Sequence, residues 1–352
     1  MNPLRSLVPH LVLLAAATLL AMMVWSKDEK AKTVKTDQVE VWHGKVDKLS
    51  SVSYEADKQR LSMEARKDSH GRWYAVTVDK TVETSTPPPP QPMGDAGPLV
   101  SLGPDAGPPK PQTKRETQRF IAVTEADKLA ESVAPMMALR ALGKVDDARA
   151  EEFGLNKPEG TLRVAFDSQK HELVIGGTTP GGGDRYAKDP ASNVVYAISG
   201  EVVRNLQFAE SRLMERELHA FKIEDVERVK LTRGNTTREL VRVAEKKDGW
   251  ADPATPDKLD ETAGNWMAKI GRLRANQYIE QIGVDVAPDW RIVKLDYLDK
   301  KGRGLGSLEI IRIPDDKSNA GYLVQTEHTR WYAQVLKSSG EEIQKDLASV
   351  LK

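Results

Sequence analysis

The sequence contains no cysteine. This absence excludes disulfide bonds, thiolate metal sites, iron–sulfur clusters, cysteine nucleophiles and the acylated cysteine of a lipoprotein. A surplus of positive charge is also absent, since 52 Lys and Arg residues balance 52 Asp and Glu residues. Nucleic-acid binders need clustered Lys and Arg to displace counterions, so we expect no nucleic-acid partner.

The remaining composition is that of a folded protein. Hydrophobic residues make up 39% and charged residues 30% of the 352 positions, which disfavours a wholly disordered chain. This length is enough for two domains of average size, or for one extended domain with a tail.

One long apolar run lies near the amino terminus. Residues 7–25, LVPHLVLLAAATLLAMMVW, carry no formal charge and are about long enough to cross a bilayer. A cleaved signal peptide is the alternative, but no small-x-small cleavage site follows the run. The sequence therefore predicts an N-terminal tail and uncleaved transmembrane anchor over residues 1–30, which contacts membrane lipid.

The charges around this run give conflicting signals on orientation. Lys27, Lys30, Lys32 and Lys35 follow it, whereas Arg5 precedes it, so the positive-inside rule would keep the large C-terminal part in the cytoplasm. However, long domains behind an N-terminal anchor are normally translocated whatever their charge. We expect a single-pass protein of the inner (cytoplasmic) membrane, with the bulk of the chain extracytoplasmic, in the periplasm.

Half of the 20 prolines fall within residues 86–112. Proline lacks the backbone donor that helices and sheets need, so this segment is predicted to be an extended, solvated loop. A ligand for a proline-reading domain is the alternative. The flanking segments 72–78 and 118–123 both read as strands, so the loop is predicted at the tip of a hairpin.

The sequence after residue 38 shows one order of predicted elements twice. Each copy has two strands, a segment with a tryptophan (Trp73 or Trp250), and an amphipathic helix at 125–142 or 257–277. Both copies continue with an apolar-Gly-apolar step, a hairpin, two Tyr-bearing strands and a Ser-Gly-Glu segment. This segment is predicted to start a helix that its serine caps. Because two tryptophans recur, core packing is favoured for them.

This order predicts an α+β fold with two copies of an antiparallel-sheet-plus-helix unit behind the N-terminal transmembrane helix. The first unit spans residues 38–220 with the proline-rich loop inserted at 86–112, and the second spans residues 221–352. Chance similarity between two α+β stretches is the alternative.

Three short motifs lie close together in the first unit. They are FGLNKP at 153–158, IGGTTPGGG at 175–183 and RYA at 185–187. In these motifs the chain resembles a bacterial family known as domain of unknown function number 4340, over roughly residues 128–280. The resemblance implies one N-terminal anchor helix and an association with components of an ABC transport system linked by analogy to gliding motility. It supplies no catalytic residues.

Signs of catalytic chemistry are weak. The glycine-rich segment 176–184 lacks the Gly-Lys-Ser/Thr of a phosphate-binding loop. The histidines have no metal-ligand spacing, and surface or capping roles are expected for them; they are His43, His70, His171, His219 and His328. We therefore predict no catalytic residue, no metal site and no cofactor.

Loops on a rigid scaffold are the usual sites of recognition, and two corresponding loops are the candidate partner-binding sites. Their residues are Gly181, Gly182, Gly183, Asp184, Asp315, Asp316 and Asn319. The predicted function is a binding or scaffold subunit that contacts a partner in a membrane-protein complex. One alternative is an envelope hydrolase, which would need convergent acids in a cleft between the units. Another is a glycan- or peptidoglycan-binding protein that uses exposed tryptophans.

Overall fold

The computed structural model describes residues 38–84, 112–243, 249–283, 285–314 and 321–352. The predicted anchor, all but the last residue of the proline-rich loop, and Asp315, Asp316 and Asn319 lie outside these ranges. Within them, no helix has the length and apolar character needed to span a membrane.

The first part of the chain contains eleven strands and four helices. These elements are β1 (Val39–Trp42), β2 (Leu49–Ala56), β3 (Gln59–Asp68), β4 (Gly71–Thr84), β5 (Gln112–Ala122), α1 (Thr124–Val133), β6 (Met136–Ala138), β7 (Arg140–Gly143), α2 (Asp147–Glu152), β8 (Gly160–Phe166), β9 (Lys170–Thr178), β10 (Arg185–Lys188), β11 (Val195–Ile198), α3 (Gly200–Gln207) and α4 (Ala209–Arg212), as counted over the described ranges.

The second part contributes eight strands and two helices within the same ranges. These elements are β12 (Arg228–Arg233), β13 (Thr236–Arg242), β14 (Trp250–Ala251), α5 (Glu261–Gly271), β15 (Gln277–Ile279), β16 (Arg291–Leu298), β17 (Gly304–Arg312), β18 (Tyr322–Thr326), β19 (Tyr332–Gln334) and α6 (Lys337–Val350). Short 3-10 turns lie at Val46–Lys48, Ile223–Asp225 and Pro288–Trp290.

Two large sheets dominate the structure. The first has nine strands in the order β5-β4-β3-β2-β8-β9-β10-β11-β7, and the second has eight in the order β14-β13-β12-β16-β17-β18-β19-β15. Neighbouring strands pair antiparallel, and β1 and β6 form a separate two-stranded sheet. The predicted α+β class is confirmed. The predicted hairpin of β4 and β5 is also confirmed, although β5 already begins at Gln112.

Alternating side chains explain why the strands form. In β8, for example, Leu162, Val164 and Phe166 are buried and Arg163 between them is exposed, as expected for a sheet with one face on the core. The core is continuous, because one cluster of buried side chains includes Tyr54 of the first sheet and Tyr297 of the second.

The tryptophans expected in the core are there. Trp73 and Trp250 are both buried, at 8% and 3% exposure. Trp266 of α5 is also buried, and its indole N–H donates to the carbonyl of Ile343 in α6 at 3.0 Å, which fastens these two helices together.

Both long helices of the prediction end early. Helix α1 stops at Val133, not at residue 142, because Pro135 lacks an amide donor and restricts the residue before it to extended conformations. Residues 136–143 then form β6 and β7. Helix α5 likewise stops at Gly271, and residues 277–279 form the edge strand β15.

The two Ser-Gly-Glu segments begin their helices differently. Ser199 caps α3 as predicted, because its hydroxyl accepts from the Glu201 amide at 3.3 Å. The corresponding prediction for Ser339 is wrong. Helix α6 already starts at Lys337, so Ser339 lies inside the first turn instead of before it.

The FGL step forms a tight turn against β9. Gly154 has φ of +70°, and a Cβ there would lie 2.8 Å from the amide nitrogen of Gly177. That amide donates to the Phe153 carbonyl at 2.8 Å, so the turn and the strand are closely joined. Glycine therefore satisfies both the backbone conformation and the close approach.

We predict that Gly154→Ala lowers the free energy of unfolding by about 1–3 kcal/mol, because a side chain at this φ is strained and clashes with Gly177. Urea unfolding followed by tryptophan fluorescence measures this difference. Gly183→Ala is the control, since no atom lies within 4 Å of its Cβ position. Equal stability of the two variants would contradict the prediction.

Candidate functional site

The predicted binding loop after β9 has an exposed tip and a fixed base. Gly181 and Gly182 have φ of +99° and +84° and are exposed. At the base, the Gly183 carbonyl accepts from the Arg204 guanidinium at 3.3 Å, and the Asp184 carboxylate accepts from the Gly200 amide at 3.4 Å. The structure therefore brings four of the seven predicted residues together at the start of α3.

Close packing explains why this base is rigid. A Cβ on Gly200 would lie only 1.7 Å from the Gly183 carbonyl oxygen. The helix start and the loop can approach this closely only because Gly200 has no side chain. The other three predicted residues, Asp315, Asp316 and Asn319, lie outside the described residues.

A cleft lies between the two sheets, where the hydrolase alternative placed its site, but the sequence did not point to the residues that line it. It has a volume of about 570 Å³, and the connection from the first sheet to the second forms one of its walls. Val123 and Thr124 line it from the first sheet, and the end of α5 lines it from the second. Its titratable lining residues are Glu215, Glu217, His219, Lys222, Glu224, Arg274, Tyr297 and His328.

Glu215 is the most buried carboxylate of the cleft, at 8% exposure. One of its oxygens accepts from the amide and hydroxyl of Thr124 at 3.3 and 3.2 Å, and the other accepts from the Glu217 amide at 3.1 Å. His328 Nε2 lies 3.6 Å from the carboxylate, at ion-pair distance. The Tyr278 hydroxyl donates to the Glu215 carbonyl at 2.8 Å. The Glu215 amide donates to the Ile121 carbonyl of β5 at 2.9 Å, so one residue binds groups from both sheets.

The electrostatic environment keeps Glu215 ionised. Burial by itself would raise its pKa, but the neighbouring His328 imidazole and the amides of Glu217 and Thr124 outweigh this effect and lower the pKa to about 2. A carboxylate held in this state is a hydrogen-bond acceptor, and it is poorly suited to donate a proton as a general acid at neutral pH.

A second histidine–carboxylate pair lies beside the first. His219 Nδ1 is 3.1 Å from Glu327, whose other oxygen accepts from the Ser307 amide at 2.9 Å. Burial would raise the pKa of Glu327, but His219 and the Ser307 amide lower it. The His219 ring stacks on Phe221, with ring centres 4.5 Å apart, and contacts the Tyr297 ring edge-on. The Tyr297 hydroxyl is buried without a hydrogen-bond partner among the described residues.

The surface role expected for His328 is wrong, because that residue is 7% exposed. His219 is also largely buried and pairs with a carboxylate more than a hundred positions away. No local motif marks either pair, since the paired residues are more than a hundred positions apart and meet only in the folded chain. No group of three or more metal-ligating side chains occurs in the described ranges.

The hairpin of β4 and β5 extends past its neighbour. β3 pairs with β4 only as far as Lys80, and Thr81 makes one further bond to Lys58, so residues 82–84 of β4 pair with β5 alone. These residues and their β5 partners form a two-stranded arm. Its described side chains are exposed, and they include Val82 at 38% exposure.

The comparison with protein families finds a match in the middle of the chain. Residues 123–289 match the model of the Domain of unknown function (DUF4340) family. The predicted resemblance is therefore confirmed over this segment. The DUF4340 segment runs from α1 to beyond α5 and includes the FGLNKP motif, the loop at 181–184, Glu215 and His219. No curated protein and no solved structure matches the chain.

We predict that Glu215→Gln destabilises the chain at pH 7 by on the order of 3 kcal/mol and removes part of its acid sensitivity. The pKa of Glu215 is lowered by folding, so its contribution is complete above its ordinary value of 4.5 and is lost as the pH falls toward about 2. Urea unfolding between pH 2 and pH 7 measures this profile.

Glu217→Gln is the matched control for this prediction. Glu217 lies two residues away but is exposed and pairs with Arg274 at 3.0 Å, so its loss is expected to change stability by less than about 1 kcal/mol. If Glu215→Gln were as stable as the wild type at pH 7, the structural role of Glu215 would be contradicted.

Proposed function

We propose that this protein is a membrane-anchored binding or scaffold subunit of an envelope complex, possessing a rigid body that presents loops to a partner protein. The observation that carries the proposal is the loop at 181–184, where an exposed tip stands on a base fixed to α3. Recognition sites are commonly loops held by a rigid scaffold. The continuous core beneath both sheets supplies that rigidity.

We infer that the body consists of two copies of one unit, residues 38–220 and 221–352. The support is the strand order, because β4-β3-β2-β8-β9-β10-β11-β7 corresponds step by step to β14-β13-β12-β16-β17-β18-β19-β15. In this alignment β5 is an addition to the first unit, and α1 corresponds to α5. The loop at 181–184 then corresponds to the segment between β17 and β18.

The membrane anchor and the periplasmic location rest on the uncharged run at 7–25. An auxiliary role in an ABC-type transport system rests on the resemblance to the DUF4340 family. Both statements belong to this proposal.

The cleft favours a second candidate, an envelope hydrolase or a glycan- or peptidoglycan-binding protein. It brings Glu215, Glu217 and His219 to one wall. The hydrogen bonds of Glu215 and the ion pair of Glu217 with Arg274 engage both carboxylates internally, so binding by the loops is the better-supported function. Turnover of peptidoglycan by the purified chain, lost in Glu217→Gln without unfolding, would favour the hydrolase.

We predict that protease added to spheroplasts digests the chain after about Lys30, because an anchor at 7–25 leaves the bulk outside the cytoplasmic membrane. Immunoblotting with antibodies to the C-terminal part measures the loss. A cytoplasmic protein serves as the control for membrane integrity. Full protection until the cells are lysed would contradict the proposed topology.

We predict that Gly183→Arg sharply reduces co-purification of a membrane partner from detergent-solubilised membranes, since a bulky side chain on the loop would obstruct contact. The Cβ position of Gly183 has open space within 4 Å, so the fold should be retained. Quantitative mass spectrometry of affinity-purified complexes measures the effect.

Gly304→Arg is the control for this experiment. Gly304 also has no atom within 4 Å of its Cβ position, but it lies at the start of β17 in the other sheet. Equal partner recovery with both variants and with the wild type would remove the loop from the proposed interface. The absence of any specific partner of the wild type would contradict the binding function.

A further inference from the structure

The hydrogen bonds around β4 determine which backbone groups of β5 point outward. The Thr81 amide donates to the Lys58 carbonyl at 2.9 Å, so it points away from β5. Thr81 lies directly opposite Arg115. Because opposite residues of an antiparallel pair exchange both hydrogen bonds or neither, the N–H and C=O of Arg115 point away from β4.

The same alternation applies along the strand, so Thr113, Thr117 and Arg119 also direct their backbone groups outward. Ile121 continues the series, and its carbonyl accepts from the Glu215 amide at 2.9 Å. The Arg119 side chain reaches Glu280, just past β15, at 3.1 Å. The body of the protein therefore closes the β5 edge at its C-terminal end.

Toward the other end the β5 edge is open. Within the described part of the chain, the outward backbone groups of Thr113, Arg115 and Thr117 make no hydrogen bond. These residues are exposed. An exposed row of unpaired donors and acceptors is a template for another strand.

A groove of about 640 Å³ runs along this edge. All six consecutive residues from Lys114 to Arg119 line it, although successive side chains of a strand point to opposite faces. The groove therefore follows the edge of β5 and not one face of the sheet. Gln277 and Tyr278 of β15 form part of its far wall.

The charge of the groove favours an acidic occupant. Four of its lining residues are cationic and two are anionic; they are Lys80, Lys114, Arg115 and Arg119, with Glu116 and Glu210. Lys80 pairs with Glu210 at 2.6 Å, Lys114 pairs with Glu116 at 3.3 Å, and Arg119 pairs with Glu280 at 3.1 Å, so the excess positive charge comes from Arg115. Arg115 has no ion-pair partner among the described side chains.

A second copy of the chain fits this edge poorly. Two copies of β5 that pair antiparallel are related by a twofold axis perpendicular to the sheet. Opposite residues of such a pair have side chains on the same face, so the axis passes beside one residue, which lies opposite its own copy. Centring on Lys114, Arg115 or Glu116 sets a charged side chain against its own copy. Centring on Thr117 sets Arg115 against Arg119. These four arrangements are disfavoured by like-charge contacts. Centring on Thr113 brings no like charges together, but it leaves Arg115 and Thr117 without a β5 residue opposite them, because β5 begins at Gln112.

We propose that the open edge of β5 binds an extended, acidic segment of a different protein by strand addition. The backbone groups of Thr113, Arg115 and Thr117 bond to the added strand, and Arg115 faces one of its acidic side chains. This inference names the class of partner for the proposed binding function and rests on that function.

The test uses the full-length chain in detergent and two fluorescein-labelled peptides. One peptide alternates Val and Asp over seven positions, and the other has Lys in place of Asp. Fluorescence anisotropy should show that the acidic peptide binds the wild type at least about tenfold more tightly than the basic one. Arg115→Glu should abolish or reverse this preference.

Two substitutions at one position test the backbone contacts. Thr117→Pro removes an outward N–H while sparing the bonds to β4, and it should weaken binding of the acidic peptide at least about tenfold. Thr117→Val keeps the N–H and suits a strand, so it should bind like the wild type. Circular dichroism and thermal unfolding check that each variant folds. If Thr117→Pro does not fold, the binding measured for Arg115→Glu alone tests the proposal.

Strand addition would be overturned if the acidic peptide did not bind at about 1 mM, or if Arg115→Glu and Thr117→Pro both bound it as the wild type does. A wild-type dimer that Thr117→Pro makes monomeric would also overturn it, because a second copy would then occupy the edge. If a membrane partner is retained by Thr117→Pro, strand addition fails and the scaffold function stands. If the peptides discriminate but no membrane partner exists, the scaffold function fails instead.

Discussion

One buried carboxylate connects the two sheets at the segment that joins them. Glu215 lies on the connection between the sheets, where its carboxylate accepts from Thr124 and pairs with His328. Its amide and carbonyl bind Ile121 and Tyr278. Side-chain and backbone groups of one residue thus join β5, the start of α1, β15 and the turn after β18. Such a site is stable only while all its partners are present, because an unpaired buried charge is costly.

The sequence predicts the strands better than the joint between the sheets. Alternation in β2, β3, β8 and β9 is a local signal, and it is confirmed in the pairing of these strands. The length of α1 was overestimated because the apolar spacing continues past Pro135 into two strands. The pairs of Glu215 with His328 and of His219 with Glu327 join positions more than a hundred residues apart. Periodicity and motif spacing carry no information on contacts of that kind.

The DUF4340 match and the sheets divide the chain at different places. The match at 123–289 begins after β5 and ends before β16, so it takes in parts of both sheets. It contains Glu215 and His219, whereas Glu327 and His328 lie beyond it. The segment shared with the family therefore reaches its buried partners only when the rest of the second sheet is folded against it. We expect the segment alone to leave two buried carboxylate sites incomplete.

The bond from the Glu215 amide to the Ile121 carbonyl has a consequence for the geometry of β5. It occupies the last outward-pointing carbonyl of the strand, so the exposed row of backbone donors and acceptors is blocked at this end. A ladder that is blocked at one end cannot let an added strand slide past that point. Glu215, which joins the two sheets, therefore also limits the length of the free β5 edge and restricts the register in which another strand can pair with β5.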